Sequence, residues 1–370
     1  MKYYTLQELS ATDPRNVVRI QDHQKDVSDF FNRIEDFENL EALHLTNCNI
    51  QNIPESLFLL PKLRVLSLGD NQIQDLPSLN NENISIGMVF LENNRLTRIP
   101  TIILKCKNIA ILELENNFIK ELPEEIGYLT WLKNLSLSNN QIQRLPESIG
   151  SSLFELNSLR INNNQLSEIP SSIGNYQYNF NFLDVGNNQI EELPEELMNL
   201  ENLESLYIHN NNLDEMPFCI KGMVNLENLD LSQNKIKYIP TWINELKQLV
   251  SLYISENLLQ NIPSSIGTLK HLETLHLFEN KLTKLPSEIG NLESLQVLAI
   301  NHNPVQEVPQ EIANLLNLNE LYLNDTLIKE LPNSLQNLTK LKKLDITNSK
   351  YTKKQVEILK EEMPYTQIYS

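Results

Sequence analysis

Apolar and polar residues alternate along this chain in one recurring pattern, L-x-x-L-x-L-x-x-N-x-[IL]-x-x-[ILMV]-P, found thirteen times between Leu40 and Pro332. The copies begin at Leu40, Leu63, Ile86, Ile109, Leu132, Leu156, Phe180, Leu203, Leu226, Leu249, Leu272, Leu295 and Leu318. Each step is 23 residues, except two of 24, from Leu132 to Leu156 and from Leu156 to Phe180. A fixed period in the twenties marks one supersecondary unit copied in a row and stacked so that each copy covers the next.

The copy starting at Leu226 shows how a unit builds itself. Leu229 and Leu231 alternate with polar residues, the period of a strand with one buried face. Such a short strand must pair with its equivalents on either side. All copies run the same way, so a parallel sheet is predicted. Asn234 then turns the chain inward, and its amide both donates and accepts, which suits otherwise unpaired backbone groups of neighbouring turns. Stacked copies predict a ladder: Asn71, Asn94, Asn117, Asn140, Asn164, Asn188, Asn211, Asn234, Asn257, Asn280 and Asn303, ending in Cys48 and Thr326. Pro240 suits the first residue of a helix-like turn, since it fixes φ and lacks a donor. The spacing Pro240, Ile243, Leu246, Leu249 predicts a 3-10 or single α turn with one apolar edge.

An open repeat exposes its core, so both ends need covers. Residues 1–39 read as an N-terminal cap. Thr5-Leu-Gln-Glu8 suggests a capping box, and a degenerate repeat follows with Val17, Ile20, Val27, Phe31, Ile34 and Phe37 as its apolar positions. Residues 40–340 hold the repeats, and residues 341–370 close one continuous domain. There Leu341, Leu344 and Ile346 supply a last strand. Thr352-Lys-Lys-Gln355 opens a helix to about Glu362, stopped by Pro364, with Val356, Leu359 and Met363 facing the last repeat. The two longer steps are expected to bulge away from the sheet. Pro77-Ser-Leu-Asn-Asn-Glu-Asn lacks the usual Ile and predicts a looser turn.

Composition narrows the chemistry. The 370 residues carry a net charge of −18, from 48 acidic and 30 basic side chains. That sign disfavours nucleic-acid backbones and anionic membrane surfaces, and favours partners with basic or mixed-charge surfaces. Cys48, Cys106 and Cys219 lack disulfide or zinc spacing and read as buried thiols. No stretch is long and apolar enough to insert in a membrane. The start, Met1-Lys-Tyr-Tyr-Thr-Leu-Gln-Glu, has no apolar signal region, so a cytoplasmic location is expected. With nine glycines there is no phosphate-binding loop, and no nucleophile elbow or Cys–His arrangement is visible. His209, His276 and His302 share a face, but several repeats separate the first from the others, so no metal is expected. Asp184 and Asp230 could mimic a carboxylate pair, a coincidence expected in so acidic a chain. No cofactor and no catalytic residue are predicted.

These thirteen copies resemble the leucine-rich repeat family in its 23-residue form, over about four fifths of the chain. The Pro-x-x-Ile style is similar to intracellular members, bacterial leucine-rich repeat proteins and the Ras-group proteins of eukaryotes. The Asn- and Ile-rich, Gly-poor composition favours an AT-rich bacterial or protist genome. The resemblance implies an α/β fold: a right-handed solenoid curved like a horseshoe, a concave parallel sheet, and convex 3-10 or short helical turns. It also implies a non-enzymatic role in protein binding.

On the exposed strand positions two patches stand out. The first combines Tyr207, His209, Asp230, Tyr253, His276, Phe278 and Tyr322, aromatic residues interleaved with acids, typical of protein-binding anchors. Aromatics also suit strands for their own packing, so the same residues fit a purely structural reading. The second groups Val65, Met88, Phe90 and Ile111, near Phe118 and flanked by Glu92, Glu113 and Glu115. Contiguous apolar surface of this kind marks a contact, a covering loop or self-association. The expectation is a monomer or weak homo-oligomer. The alternative is a scaffold or targeting subunit that self-associates or recruits an enzyme, such as a small GTPase or a ubiquitin-ligase system. The three cysteines all lie within repeats, so this chain offers no ligase cysteine of its own.

Overall fold

A computed structural model describes residues 2–79, 84–176 and 178–370. They form two compact units, Met1–Asn188 and Gln189–Ser370. The first unit contains β1 (Arg19–His23), β2 (Ala42–Thr46), β3 (Val65–Ser67), β4 (Met88–Phe90), β5 (Ile111–Glu113), β6 (Asn134–Ser136), β7 (Ser158–Arg160) and β8 (Phe182–Asp184). The second contains β9 (Ser205–Tyr207), β10 (Asn228–Asp230), β11 (Ser251–Tyr253), β12 (Thr274–His276), β13 (Val297–Ala299), β14 (Glu320–Tyr322), β15 (Lys343–Asp345) and β16 (Gln367–Tyr369). Within each unit every strand pairs in parallel with the next in sequence, so each is an open parallel-sheet solenoid, as the repeat predicts.

The core follows the repeat register. Leu229 and Leu231 are fully buried, and Asp230 between them is half-buried. After each strand an asparagine closes the turn. Asn257 Nδ2 donates to the carbonyls of Leu231 (2.9 Å), Ile254 (3.3 Å) and Ser255 (3.0 Å), while its Oδ1 accepts from the Ile236 amide at 2.9 Å. One side chain thus satisfies four backbone groups in two successive repeats, which keeps a buried turn affordable in hydrogen-bond terms. At the ladder ends Cys48 Sγ donates to the Thr46 carbonyl and Thr326 Oγ1 to that of Leu323, one bond each.

The residue before each ladder position lies in the left-handed region, from Asn47 (φ 55°) and Asp70 (57°) to Glu256 (54°), Glu279 (54°) and His302 (53°). No glycine does so. This conformation lets the backbone N–H reach the next repeat, as where the Glu256 amide donates to the Phe278 carbonyl at 2.9 Å.

On the side away from the sheet, the spacing predicted for the turns holds. The 3-10 turn Thr241–Glu245 buries Ile243, and Leu246 and Leu249 follow it into the core. Proline, however, does not take the first helical position. Pro240 precedes the turn with extended backbone (φ −72°, ψ 156°), and its carbonyl accepts from the Ile243 amide at 3.1 Å. A ring locked near −65° in φ is compatible with either state, and the incoming extended chain selects this one. The first longer step is absorbed by widening its turn to an α-helix, Ser148–Ser152, in which the Ser151 amide reaches the Glu147 carbonyl. In the second, Tyr176 is buried, stacks on Phe180 with centroids 4.5 Å apart, and donates its hydroxyl to the Ile149 carbonyl. Gln177 of that step, and residues 80–83 of the loose turn expected after Pro77, lie outside the described residues.

At the N-terminus β1 pairs with β2 through Ile20 and Leu43, the predicted 23-residue offset. Tyr4 bridges to Ile20 on the other side. Phe30, not Phe31, fills the apolar position there, because the short helix Ser28–Phe31 turns Phe30 inward. Thr5 and Glu8 interact, but the turn begins only at Glu8. The Glu8 carboxylate accepts from the Thr5 amide (2.8 Å) and hydroxyl (3.2 Å). At the C-terminus the helix Lys353–Glu362 carries a complete capping box from Thr352 and Gln355, and buries Val356, Leu359 and Met363 against the unit. Beyond it β16, which the pattern does not foretell, pairs with β15.

Candidate functional site

Strand side chains alternate, so the residue between two buried leucines faces away from the core. In β9 to β14 these residues are Tyr207, Asp230, Tyr253, His276, Ala299 and Tyr322, paired in register from each strand to the next. His209 and Phe278, two residues further on, widen the row. All seven residues of the first predicted patch therefore share one face of the second unit. They are half-buried, less exposed than alternation alone implies. The cause is mutual packing across strands about 4.8 Å apart. Tyr253 and His276 meet edge-to-face with centroids 5.0 Å apart, and His276 and Phe278 lie 5.9 Å apart. His209 Nδ1 stands 3.5 Å from the Asp230 carboxylate.

Ala299 interrupts the aromatic row. It is 4% exposed and leaves a depression of about 550 Å³ between His276 and Phe278 on one side and Tyr322 on the other. Glu279, Glu320, Asn301 and His302 rim it. Tyr322 is held from its other flank. Its hydroxyl donates to the Glu320 carboxylate and accepts from Lys343 Nζ at 3.2 Å, and that ammonium lies 4.6 Å above the ring centroid. The bond to Glu320 holds the Tyr322 hydroxyl above its usual pKa. Burial pushes the His276 imidazole below its ordinary value, against the opposing pull of Asp230 and Glu320, so the ring is neutral at neutral pH.

The second predicted patch is also assembled, in the first unit. Val65, Met88 and Ile111 are direct partners on β3, β4 and β5, with Phe90 next to Met88 on the same strand. Met88 is 38% exposed and Phe118 48%. Acidic residues border it under unusual constraint. Glu92 folds over Gly69, where a Cβ would stand 2.2 Å from its Oε1. Its Oε2 is buried without a hydrogen-bond partner. Burial, helped by Asp70 and Glu115, raises its pKa; burial and Glu115 do the same for Glu113. A carboxyl whose folded-state value lies above its unfolded value of 4.5 binds more protons when folded. Its contribution to stability therefore improves as pH falls into that window and is poorest above it. Glu92→Gln, nearly isosteric and neutral, is expected to raise Tm at pH 7.5, with the difference from wild type closing as pH approaches 4.5. Thermal melts across that range check it.

The thiols do not enter either patch. Cys48, Cys106 and Cys219 are buried and unpaired with one another. Burial raises all three, Cys106 and Cys219 to about 12, which leaves them unreactive. Sequence reasoning overlooked Ala299, whose signal was a small residue in a row of rings. It also overlooked exposed aromatics elsewhere in the first unit: Tyr128, Trp131 and Phe154, each about 60% exposed. Trp131 stands just before the opening leucine of its repeat, where other copies carry mostly polar residues.

Several family models match the chain. One described as leucine-rich repeat region covers residues 263–363, and one for two copies of the repeat covers 38–81. A model described as leucine rich repeat covers 217–259, and another of the same description covers 131–152, 155–176 and 202–223. No curated protein sequence matches. Among solved structures, a leucine-rich repeat protein of Leptospira interrogans aligns over 100% of both chains, with 27% identity and a TM-score of 0.91. An internalin of Listeria monocytogenes aligns over 91% of this chain and 88% of its own, with 21% identity and a TM-score of 0.71. Toll in the Toll–Spatzle complex of Drosophila aligns over 86% of this chain and 48% of its own, with 24% identity and a TM-score of 0.69. The last two likenesses concern the fold.

Proposed function

The chain belongs to the leucine-rich repeat family, and from that premise we propose that it is a non-enzymatic module that binds a protein partner on the exposed face of its sheet, the concave face in the family's horseshoe. The observation that carries this reading is the in-register row Tyr207, Asp230, Tyr253, His276, Ala299 and Tyr322, with His209 and Phe278 beside it. Rigid, half-buried rings lose little entropy on docking, and the acids among them give the contact direction. A net charge of −18 favours a partner with basic or mixed charge. No described helix is long and apolar enough to cross a membrane. A cytoplasmic location and a monomeric or weakly associating state complete the proposal.

The test is affinity capture from a lysate of the source organism, comparing wild type with Tyr253→Ser/His276→Ser/Tyr322→Ser. None of the three side chains belongs to the leucine core, so circular dichroism should be unchanged. A partner retained by wild type should be lost from the variant, by about 1,000-fold in affinity if two anchors each contribute about 2 kcal/mol. Equal capture overturns the assignment of this face. The second reading, self-association, draws on Val65, Met88, Phe90 and Ile111, where apolar side chains are contiguous and Met88 is exposed. A mass by sedimentation that stays monomeric at every concentration removes it.

A further inference from the structure

The depression over Ala299 has a shape and a charge of its own. Its floor is Ala299 and Val297, and its walls are the rings of β12 and β14. These strands are two spacings apart, about 10 Å, enough for one planar group between two rings at van der Waals contact. Glu279 and Glu320 line it, and no lysine or arginine does. His302, on the rim, is paired with Asp325 at 3.4 Å. Lys343 comes from β15, on the side of β14 opposite β13, so it occupies the far flank of Tyr322 and leaves the flank toward Ala299 open. That contact also shows the Tyr322 ring already accepting a cation.

We propose that this slot is a subsite for an arginine side chain of the protein partner. The proposal rests on the reading of the sheet face as the docking surface and names the chemistry of one contact within it. A guanidinium is planar, stacks on aromatic faces and donates in a fork to carboxylates, matching walls of His276 and Tyr322 with Glu320 and Glu279 at the rim. A neutral His276 adds no repulsion. An anionic group would meet two carboxylates, and an aliphatic plug would strip water from them without replacing its hydrogen bonds. Lysine carries the charge but not the plane.

The Ala299 methyl is a reporter at the floor of the slot. The full chain, labelled with ¹³C at alanine methyls, is titrated with N-acetylarginine N-methylamide and with its lysine and leucine counterparts at constant ionic strength. The Ala299 resonance should shift saturably with the arginine probe, bind it at least about five-fold more tightly than the lysine probe, and ignore the leucine probe. Glu320→Gln should weaken the arginine probe by about three-fold or more. Ala299→Leu, which fills the floor, should abolish saturation transfer to the probe while circular dichroism is unchanged. A lysine or leucine probe that binds as tightly as arginine, or no saturable shift up to about 100 mM, overturns the subsite. Such failure, with capture still lost in the triple variant, removes the arginine contact and leaves the docking face. A saturable shift with capture unaffected shows a slot that takes a guanidinium, but overturns both the docking face and its use by an arginine of the partner.

Discussion

Replacing Asn257 by leucine is expected to cost about 3–5 kcal/mol of stability, although the two side chains are similar in size. The loss comes from hydrogen bonds, not from a cavity. Leucine leaves the buried Ile236 amide without its partner and removes one of the hydrogen bonds to each of the Leu231, Ile254 and Ser255 carbonyls, which keep those from Asn234, Asn280 and the Gln233 amide. A buried amide left unpaired costs about 1–3 kcal/mol, and the three carbonyl hydrogen bonds lost with it add about 0.5–1 kcal/mol each. Asp at this position should do no better. It retains an acceptor for Ile236 but sets carboxylate oxygens against three carbonyls. Thr326 supplies the contrast, because its side chain makes one bond, to the Leu323 carbonyl. Thr326→Val should therefore cost only about 1 kcal/mol. Urea unfolding followed by circular dichroism measures both. A loss below about 1 kcal/mol for Asn257→Leu would mean that the ladder is not what secures the turns.

How far the fold was legible follows from how local its causes are. Leucine at alternate strand positions and isoleucine three residues after proline announce their own burial, so the sheet, the turns and the ladder all stood in the pattern. So did the C-terminal helix, because Thr352 and Gln355 form a local box. The left-handed residue before each ladder position did not. Asn, Asp, Gln, Glu and His all occupy it, so no shared chemistry marks it. The conformation is imposed by the need to aim an amide at the next repeat. β16 is three residues long and acquires its identity only from pairing with β15.

The candidate face was legible as a row of side chains and illegible as a shape. Tyr253, His276 and Tyr322 follow from the register. That they are half-buried follows from their neighbours, since each ring covers part of the next. Ala299 has no meaning until the large residues on either side are placed by β12 and β14. A small residue in a strand is ordinary; a small residue between two rings makes a slot. The Glu92 carboxyl shows the same dependence. Its constraint arises because Gly69, one repeat earlier, leaves the room it occupies.

Glycine in the turns away from the sheet acts through space alone, and here a second large effect is expected. Gly290 lies in the turn Ser287–Asn291 without a left-handed backbone, so any residue could adopt its conformation. A Cβ there would stand 2.2 Å from the Glu311 carbonyl oxygen and 2.8 Å from its carbonyl carbon. The obstacle is the backbone of the next turn, Gln310–Asn314, which cannot rotate away as a side chain can. Gly290→Ala should cost about 1–3 kcal/mol, and Gly290→Val more than about 3, as the two turns are forced apart and the leucines beneath them lose contact. Ala313 occupies the equivalent position one repeat later and is accommodated. Ala313→Gly should therefore change stability by no more than about 1 kcal/mol, through chain entropy. Thermal melts rank the three variants, and hydrogen exchange locates the damage. Faster exchange at the Leu292 and Leu315 amides, which close these turns, is the expected signature. Equal stability of Gly290→Val and wild type would show that neighbouring turns shift apart freely, and stacking on this side would then contribute little to holding the repeats together.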